Sequence, residues 1–483
     1  MKKGICITLA CVAAASVFSF GGCKKKTVAS TTYEITAKYE PENATLAGAV
    51  KVSYENTTEN ELTELKFQLH PNAYRKDALY RPVSSAFEKA AYYKGESYGE
   101  IVVSSVNGAK NWEVTGEDDN ILSVYLEKSL FPEDKVVLDI AFTLKLAKVN
   151  HRTGVTEHTA NFGNFFPILC GVKDGGFYES VYYSDGDPFL SECANYSLTL
   201  TAPKDYKLAV GGEITGERTL ESKKEYTVSA TNVRDLAFVL SDEYKTESIQ
   251  CGDTTITYYY YDDTAAGETL TLAKEAFSYF EKTFGEYPYP CYTLAQTGFC
   301  YGGMEYPALA FLSDTLDAEN KTRAVVHETA HQWWYAVVGS DQLCEAWQDE
   351  GLAEYSALMF FESNGKYGIT REDAVTEALK EYRSYYDVYG SVLGRTDTKM
   401  HRSLKEFLSD YEYQCIVYDK SVVMFDTLRK SIGDKKFTSG LKKYYADCKY
   451  KVATPDKLIA SFEKTGADVR GFFESFLDGK AIL

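Results

Sequence analysis

Two histidines and two glutamates in the second half of the chain constrain its fold more than any other feature. His327 and His331 stand four residues apart around Glu328, and eighteen residues separate His331 from Glu350. A four-residue step on a helix puts both imidazoles on one face. The eighteen residues suffice to turn the chain and lay an antiparallel helix alongside. The pattern therefore predicts two neighbouring helices that bring these side chains together.

These side chains are suited to bind one metal ion together. Two neutral imidazoles and one carboxylate are the protein ligands of a catalytic zinc with an open fourth position. We expect one zinc ion per chain, held by His327, His331 and Glu350, with water at the open position. Glu328 should lean toward that water, take its proton during attack and deliver it to a leaving amine. This set is typical of a zinc peptidase. The alternative is a helix that binds no metal, with two hydrogen-bonded histidines and acids at its surface.

From about residue 246 the sequence pattern is mostly helical. One strand is expected at Thr255–Tyr261, followed by a helix that Gly285 ends. Asp317 can cap the helix that carries the two histidines, and Gly339 is expected to end it. Further helices are predicted at 348–362, 371–386, 415–431, 436–446, 455–464 and 468–478.

Residues 33–245 alternate between apolar and polar, with turn residues between the segments. This alternation is typical of half-buried strands. The strands are expected at 33–39, 46–54, 65–69, 136–146, 196–202, 206–210 and 236–240, and residues 76–130 are expected to hold long loops. The prediction is an α+β chain: an antiparallel β sandwich or saddle at 33–245, then a mostly helical domain at 246–483.

The first residues predict export. Lys2 and Lys3 precede an uncharged apolar run at 5–20, and Phe20-Gly21-Gly22 leads to Cys23. This order is typical of a lipoprotein signal over residues 1–22, cleaved before a lipidated Cys23, with residues 23–32 as a linker. A plain secretory signal and an uncleaved anchor remain the alternatives. The expected location is the extracytoplasmic face of a cell membrane, attached through the lipid.

Charge and cysteine content exclude some partners. The net charge of −18 becomes −20 when Lys2 and Lys3 leave with the signal, which argues against nucleic acid. No C-x-x-C pair occurs, so a cysteine zinc site is not expected. Cys291 and Cys300 could pair, but free buried thiols are the preferred interpretation. The other histidines are read as structural or surface residues: His70, His151, His158 and His401.

Four motifs resemble one family, the gluzincin zinc aminopeptidases typified by membrane alanyl aminopeptidase and leukotriene hydrolase. HETAHQWW at 327–334 resembles its zinc helix, and WQDEGLAEY at 347–355 resembles its third-ligand segment. GGMEY at 302–306 resembles its exopeptidase motif, and VYDK at 417–420 the segment with its transition-state tyrosine. The motifs LHPNA at 69–73 and DPF at 187–189 more weakly resemble the sheet domain of bacterial members.

The resemblance implies a thermolysin-like catalytic domain at 246–483 and roles for matching positions. Glu305 would bind the free α-amino group of a peptide, while the segment of Gly302, Gly303 and Met304 would lie along the substrate. A carboxylate near the metal would pair with an ammonium and fix cleavage at the N-terminus. Tyr418 would donate its hydroxyl to the developing oxyanion. Glu354 could accept a hydrogen bond from a ligand histidine, or be a solvated helix acid.

The sequence also departs from the family pattern. Tyr306 replaces the usual Asn and Ser421 replaces a usual Gly, changes expected to alter the mouth of the site. The glutamine that gives some members a second amine anchor has no recognisable counterpart. The long C-terminal helical domain of many members is not seen, which would leave the site open to longer peptides.

The favoured interpretation is a membrane-attached zinc aminopeptidase acting on peptides with a free N-terminus. A zinc endopeptidase is the nearest alternative within the enzymes. A non-catalytic peptide-binding protein on the same fold is a further alternative, although such a protein would be expected to have lost Glu328 or a ligand, and all of these residues are present.

Overall fold

The computed structural model describes residues 29–394 and 396–483. The predicted signal at 1–22, the lipid site at Cys23 and most of the linker lie outside the described residues. Within the described ranges, none of the helices has the length and apolar character needed to cross a membrane.

The first part of the described chain is built from strands. Their bounds are β1 Thr32–Glu40, β2 Thr45–Glu55, β3 Leu62–Gln68, β4 Glu100–Asn107, β5 Asn111–Thr115, β6 Ile121–Leu130, β7 Lys135–Lys145, β8 Thr153–Val155, β9 Ala160–Phe162, β10 Ile168–Leu169, β11 Val172–Lys173, β12 Gly176–Phe177, β13 Ala194–Pro203, β14 Lys207–Val210, β15 Glu213–Leu220, β16 Lys223–Val233 and β17 Phe238–Ser241. Five more strands follow: β18 Lys245–Cys251, β19 Thr254–Tyr260, β20 Cys291–Thr297, β21 Gly303–Met304 and β22 Leu309–Ser313.

Most of the helices follow β17. Their bounds are α1 Glu88–Ala91, α2 Ala266–Phe284, α3 Ala318–Ala330, α4 Trp347–Ser363, α5 Arg371–Leu393, α6 Asp410–Tyr413, α7 Lys420–Ile432, α8 Asp434–Cys448, α9 Pro455–Glu463 and α10 Arg470–Leu477. Short 3₁₀ turns lie at Pro41–Asn43, His70–Tyr74, Gly365–Tyr367 and Leu404–Glu406, and a π-helical segment spans Gln414–Asp419. The α+β class with a β-rich first half is confirmed.

A large sheet forms the base of the first half. In the described residues its strand order is β15-β16-β13-β1-β2-β7-β4, with β1 parallel to β13 and the other neighbours antiparallel. Burial alternates along β1, where Ile35, Ala37 and Tyr39 face the interior. A second sheet, β10-β3-β6-β5, contributes to the same core. The predicted strands are therefore confirmed, but the sheet is mixed and not purely antiparallel.

The expectation that residues 76–130 hold long loops is met at 76–99, where the short helix α1 is the one regular element, and is wrong for the rest. Residues 100–130 form β4, β5 and β6. A bulge between Val103 and Ser105 interrupts the two-residue period of β4. In β6 the run from Ile121 to Val124 is buried on both faces, so it has no alternation to detect.

The helical half also contains a five-stranded sheet. Its order is β18-β19-β20-β22-β21 in the described chain, and it begins at Lys245. The helices that follow α3 confirm the predicted pattern. Helix α3 has the predicted Asp317 cap, whose side chain accepts from Asn320 N at 2.8 Å. The boundary between domains at 245/246 stays a prediction.

The helix with the two histidines is shorter than predicted. It ends at Ala330 rather than near Gly339, and Tyr335 has a φ of 128°. Residues 331–339 instead form turns that bury both indoles, with Trp333 Nε1 donating to Gly285 O and Trp334 Nε1 donating to Ser356 Oγ, each at 2.9 Å. Because these apolar residues continue the buried pattern, nothing in the sequence marks the end of the helix at Ala330.

One arginine joins the two halves. Arg234, at the end of β16, is buried, and its guanidinium donates to the carbonyls of Ser191, Tyr335 and Lys451. The Tyr335 and Lys451 carbonyls belong to the helical half. The sheet domain is thus bonded directly to the segment that follows α3.

Candidate active site

A cleft of about 1080 Å³ lies between the two halves. The β-rich half contributes Arg152 and residues 184–187 to its wall, and the helical half contributes residues 300–305, α3, α4 and the π-helical segment. The predicted site residues of the helical half line this cleft, with Gly302, Glu328 and Tyr418 among them.

His327, His331 and Glu350 meet at one point in the cleft. His327 Nε2 lies 3.0 Å from His331 Nε2, and each of these atoms lies 3.2 Å from Glu350 Oε2. Ligand atoms about 2.0–2.1 Å from a tetrahedral zinc lie about 3.3 Å from one another. The three predicted ligands, two from α3 and one from α4, therefore fit zinc in type and in spacing.

The other ring nitrogens of both histidines have partners of their own. His327 Nδ1 is paired with Glu354 Oε2 at 2.9 Å, and His331 Nδ1 lies 2.9 Å from the Trp334 carbonyl oxygen. Such partners hold the ring and leave Nε2 directed at the metal position. The early end of α3 matters here, because it lets the Trp334 carbonyl turn back toward His331.

The carboxylates around the histidines control their charge. Burial alone would lower the pKa of His327, but hydrogen bonds with Glu350 and Glu354 raise it well above its usual range. For Glu350, burial is outweighed by the charges and hydrogen bonds of the two histidines, so its pKa falls below the usual value. The two imidazoles and the carboxylate thus hold protons between them in a compact group. A divalent cation bound there can take the place of those protons.

Glu328 is buried beside this group. One of its oxygens, Oε2, has no hydrogen-bond partner among the described residues. Burial raises the pKa of its carboxyl to about 7, against the opposing effect of His327 and His331. A Cβ on Gly303 would lie 2.3 Å from Glu328 Oε1, so a larger residue there would displace the Glu328 carboxylate. An unpartnered carboxylate oxygen next to the metal position suits a proton acceptor.

The exopeptidase motif lies along one edge of the cleft. Gly303 and Met304 form β21, which pairs antiparallel with β22 at the edge of the sheet. Met304 is buried and its sulfur accepts from Arg152 Nε at 3.0 Å, while Gly302 has open space beside its Cα. The exposed edge of β21 can therefore accept an extended peptide strand.

Glu305 follows that strand and points to the ligand group. It is buried, with one carboxylate oxygen within 4.8 Å of ligand atoms of His331 and Asp349. Gln342 Nε2 donates to Glu305 Oε1 at 3.1 Å and to Asp349 Oδ2 at 2.7 Å. Burial, followed by the charge of Asp187, raises the pKa of Glu305 well above its usual range.

Sequence reasoning missed two residues of the β-rich half that reach this point. Asp187 offers a carboxylate oxygen within 4.8 Å of those of Glu305 and Glu350. Its other contact is an ion pair with the buried Arg152, which also donates to Tyr182 Oη at 3.2 Å. The motif at 187–189 had marked Asp187 only as part of a sheet domain, and no sequence signal singled out Arg152.

Tyr418 enters the cleft from the π-helical segment. Its ring centroid lies 6.1 Å from that of His327, and it lines the same cleft as Glu350. Burial and the charge of Glu350 raise its pKa well above the usual range, so the phenol keeps its proton. It can donate a hydrogen bond next to the metal position.

Two sequence departures do not act as expected. Tyr306 is fully buried, and its hydroxyl donates to Asn164 Oδ1 at 3.1 Å. Ser421 is buried where α7 crosses α4, against Gly351. Neither residue is at the mouth of the cleft, because each fills a close contact in the interior.

Of the remaining histidines and cysteines in the described residues, Cys300 alone lines the cleft. His70 and His151 are buried, His158 is half-buried and His401 is exposed. The eight cysteines in the described residues are free, Cys291 and Cys300 included. The interpretation of the histidines is confirmed, and that of Cys291 and Cys300 is confirmed for their free state, whereas both are half-buried rather than buried.

Residues 268–476 match the peptidase family M1 domain. This region is therefore similar to a peptidase family M1 domain. The chain is 28% identical to human aminopeptidase B over 209 residues, which cover 41% of this chain and 31% of that protein. Aminopeptidase N of Lactococcus lactis is 29% identical over 227 residues, covering 43% of this chain and 26% of that one.

Longer matches include both halves. Aminopeptidase 2 of Candida albicans is 23% identical over 429 residues, covering 78% of this chain and 44% of that protein. The chain thus spans less than half the length of these curated relatives. An M1 zinc metallopeptidase structure from Deinococcus radiodurans superposes with a TM-score of 0.66 at 17% identity, covering 94% of this chain and 95% of that one. The two-domain M1 fold is therefore shared.

Proposed function

We propose that this chain is a zinc-dependent aminopeptidase that removes N-terminal residues from peptides. One observation carries the proposal: the buried Glu305 carboxylate lies against the group formed by His327, His331 and Glu350. A peptide whose N-terminal ammonium is bound by Glu305 would have its first peptide bond at the metal position. The aminopeptidase relatives support the same activity.

The substrate amine would meet two carboxylates. Glu305 approaches it from the helical half and Asp187 from the β-rich half. Charge-assisted hydrogen bonds between carboxylate and ammonium are among the stronger ones in proteins. Asp187 would thus take the place of the second amine anchor that the sequence did not disclose. The peptide that follows would run along the edge of β21.

Proton transfer would belong to Glu328. Its unpartnered Oε2 can take a proton from the attacking water and return it to the leaving amine. One zinc ion, held by His327, His331 and Glu350, supplies Lewis-acid polarisation of the carbonyl and activation of water when bound. Tyr418 would donate its hydroxyl hydrogen to the oxygen on which negative charge develops.

Hydrolysis of aminoacyl-arylamides tests the proposal directly. We expect cleavage of free-amine substrates, loss of activity with a chelator and recovery with zinc. Purified protein should contain one zinc per chain by elemental analysis. Glu328→Gln should keep the metal and lose activity. Efficient cleavage of N-acetylated peptides with poor cleavage of free-amine ones would instead identify an endopeptidase.

We further propose that the protein is exported and attached to a membrane surface through a lipid on Cys23. The signal pattern at 1–22 supports this. Cys23→Ala should move the protein from the membrane fraction to the soluble fraction without altering arylamide hydrolysis. Equal membrane association of both forms would contradict the anchor.

A further inference from the structure

One buried guanidinium contacts both halves of the molecule behind the amine position. Arg152 belongs to the β-rich half and lines the cleft. Its Nη2 is paired with Asp187 Oδ1 and donates to the Gly186 carbonyl oxygen at 3.2 Å, while its Nε donates to Met304 Sδ at 3.0 Å. Met304 belongs to β21 of the helical half. Arg152 therefore joins the loop that carries Asp187 to the strand along which the substrate is proposed to run.

The third nitrogen of this guanidinium is bonded as well. Arg152 Nη1 donates to Tyr182 Oη at 3.2 Å and lies 3.4 Å from His151 Nε2. A guanidinium has five N–H donors, and the contacts with these two residues and with Asp187, Gly186 and Met304 supply an acceptor for each. The ring of Phe189 lies below the guanidinium, with its centroid 5.6 Å from Cζ. The orientation of Arg152 is thus fixed from every side.

His151 acts as an acceptor in this network. Burial, together with the charge of Arg152, lowers the pKa of its imidazole well below the usual range, so the ring is neutral. A guanidinium cannot accept a hydrogen bond, so His151 Nε2 accepts from Arg152 and the ring proton is on Nδ1. Nδ1 lies 2.5 Å from Tyr74 Oη and donates to it. A continuous line of hydrogen bonds therefore runs from Tyr74 through the interior to Asp187.

Asp187 needs this support because it lies among other acids. Its carboxylate is buried, with an oxygen within 4.8 Å of oxygens of Glu305 and Glu350. A buried carboxylate without a compensating charge is costly, and neighbouring carboxylates repel it. The other arginine that lines the cleft in the described chain, Arg323, is paired with Glu319 at 3.0 Å. Arg152 is left to compensate Asp187.

We infer that Arg152 is the positioning residue of the second amine anchor: it holds the Asp187 carboxylate beside Glu305 and in register with β21. The inference rests on the proposed aminopeptidase function. Arg152 acts on the substrate through Asp187 and not by contact, so its effect is confined to substrates with a free amine. A lysine keeps the charge but lacks the planar fork that reaches Asp187 and Met304 together.

The test compares a methionyl peptide with the same peptide after N-acetylation. We expect Arg152→Lys to lower kcat/KM for the free-amine peptide about tenfold, because a charge-assisted hydrogen bond is worth about that factor. Residual cleavage of the acetylated peptide should change less than about twofold. The loss should come mainly from a higher KM, since the amine is bound in the ground state and the transition state alike.

A double-mutant cycle shows whether Arg152 acts through Asp187. In the Asp187→Asn protein, adding Arg152→Lys should change kcat/KM for the free-amine peptide by less than about twofold, because the anchor that it supports is already lost. Losses that multiply in the double variant would overturn the inference. If thermal unfolding shows that Arg152→Lys does not fold, Arg152→Met/Asp187→Asn removes both charges and should match Asp187→Asn within about twofold.

Arg402→Lys is the matched control. Arg402 is also buried and is paired with a buried carboxylate, that of Glu412 at 2.8 Å, but it does not line the cleft. Any loss of activity in this variant should be equal for the free and the acetylated peptide. A selective loss in Arg402→Lys, or equal losses on both peptides in Arg152→Lys, would show that Arg152 has a structural role alone.

Binding gives a measurement that needs no turnover. In the Glu328→Gln protein, adding Arg152→Lys should weaken L-methionine binding about tenfold by calorimetry and leave the affinity for N-acetyl-L-methionine unchanged. Cleavage of free-amine peptides with unaltered selectivity in Arg152→Lys keeps the proposed function and overturns the inference. If no peptide is cleaved, the proposed function fails, and the two affinities decide whether Arg152 supports the amine site. Equal effects on both ligands would then overturn the inference too.

Discussion

His327 Nδ1 lies 2.9 Å from Glu354 Oε2, one helical turn after Glu350 on the same helix. Helix α4 thus supplies both a metal ligand and the carboxylate that orients another ligand. Because one rigid element carries both groups, the geometry of His327 follows from the position of α4. Of the two alternatives for Glu354, the hydrogen bond to the ligand histidine is the one found.

The Glu354–His327 contact predicts the strength of zinc binding. Glu354→Gln should weaken zinc affinity about 10- to 100-fold, since partners of ligand histidines typically contribute that much. Competition with a chromogenic chelator measures the change. Glu377→Gln, a substitution on α5 at the same cleft, serves as the control. Unaltered affinity in Glu354→Gln would mean that the contact does not support the ligand.

The amine anchors predict a selective loss. Glu305→Gln and Asp187→Asn should each reduce kcat/KM for free-amine peptides by about 10- to 100-fold, because each removes a charge-assisted hydrogen bond. Residual cleavage of N-acetylated peptides should change little. Equal losses on both substrate types would remove the anchoring role and point to a structural effect, for Asp187 through its pair with Arg152.

Tyr418→Phe removes the donor for the oxyanion. We expect kcat to fall about 10²- to 10³-fold with little change in KM, as for the loss of one such donor in other hydrolases. Tyr411→Phe changes an exposed tyrosine in the same region and should retain activity. If KM rises while kcat stays constant, Tyr418 contributes to ground-state binding instead.

Glu328→Gln should reduce kcat by about 10²- to 10⁴-fold, the usual contribution of a general base. The amide keeps the size of the side chain beside Gly303 but cannot take the proton. Zinc content, measured by mass spectrometry, should remain that of the unaltered protein. Loss of zinc together with activity would show that Glu328 acts through the metal site rather than on the proton.

A buried aspartate outside the site predicts how stability depends on pH. Burial raises the pKa of Asp235 to about 7, against hydrogen bonds from Leu236 N and Asn164 Nδ2. The folded state therefore binds this proton more tightly than the unfolded state. The stabilisation that comes from the proton on Asp235 is complete below about pH 4 and is lost as pH rises to about 7.

Thermal unfolding between pH 5 and pH 8 measures this dependence. In Asp235→Asn the free energy of unfolding should fall less steeply with pH. The slope should change by at most about 1.4 kcal/mol per pH unit. Asp242→Asn, at an exposed neighbouring position, should not. Parallel curves for Asp235→Asn and the unaltered protein would show that Asp235 ionises in the folded state as it does in the unfolded chain.

The sequence was most informative where one element carries the chemistry. His327, His331 and Glu328 are fixed by helical spacing, and Glu350 by the length of chain that a turn requires. Asp187 and Arg152 could not be found in this way, because they reach the cleft through contacts between residues far apart in the sequence. Likewise, the end of α3 is set by buried indoles that continue its apolar pattern.

The π-helical segment sets a limit on changes in chain length near the cleft. An α-helix turns by about 100° per residue, so deleting one residue between Gln414 and Tyr418 would swing the phenol about a quarter of a turn around the axis. The rest of α7 could not follow, because Ser421 is fixed against Gly351. Single deletions here should therefore abolish turnover more completely than any substitution of the same residues.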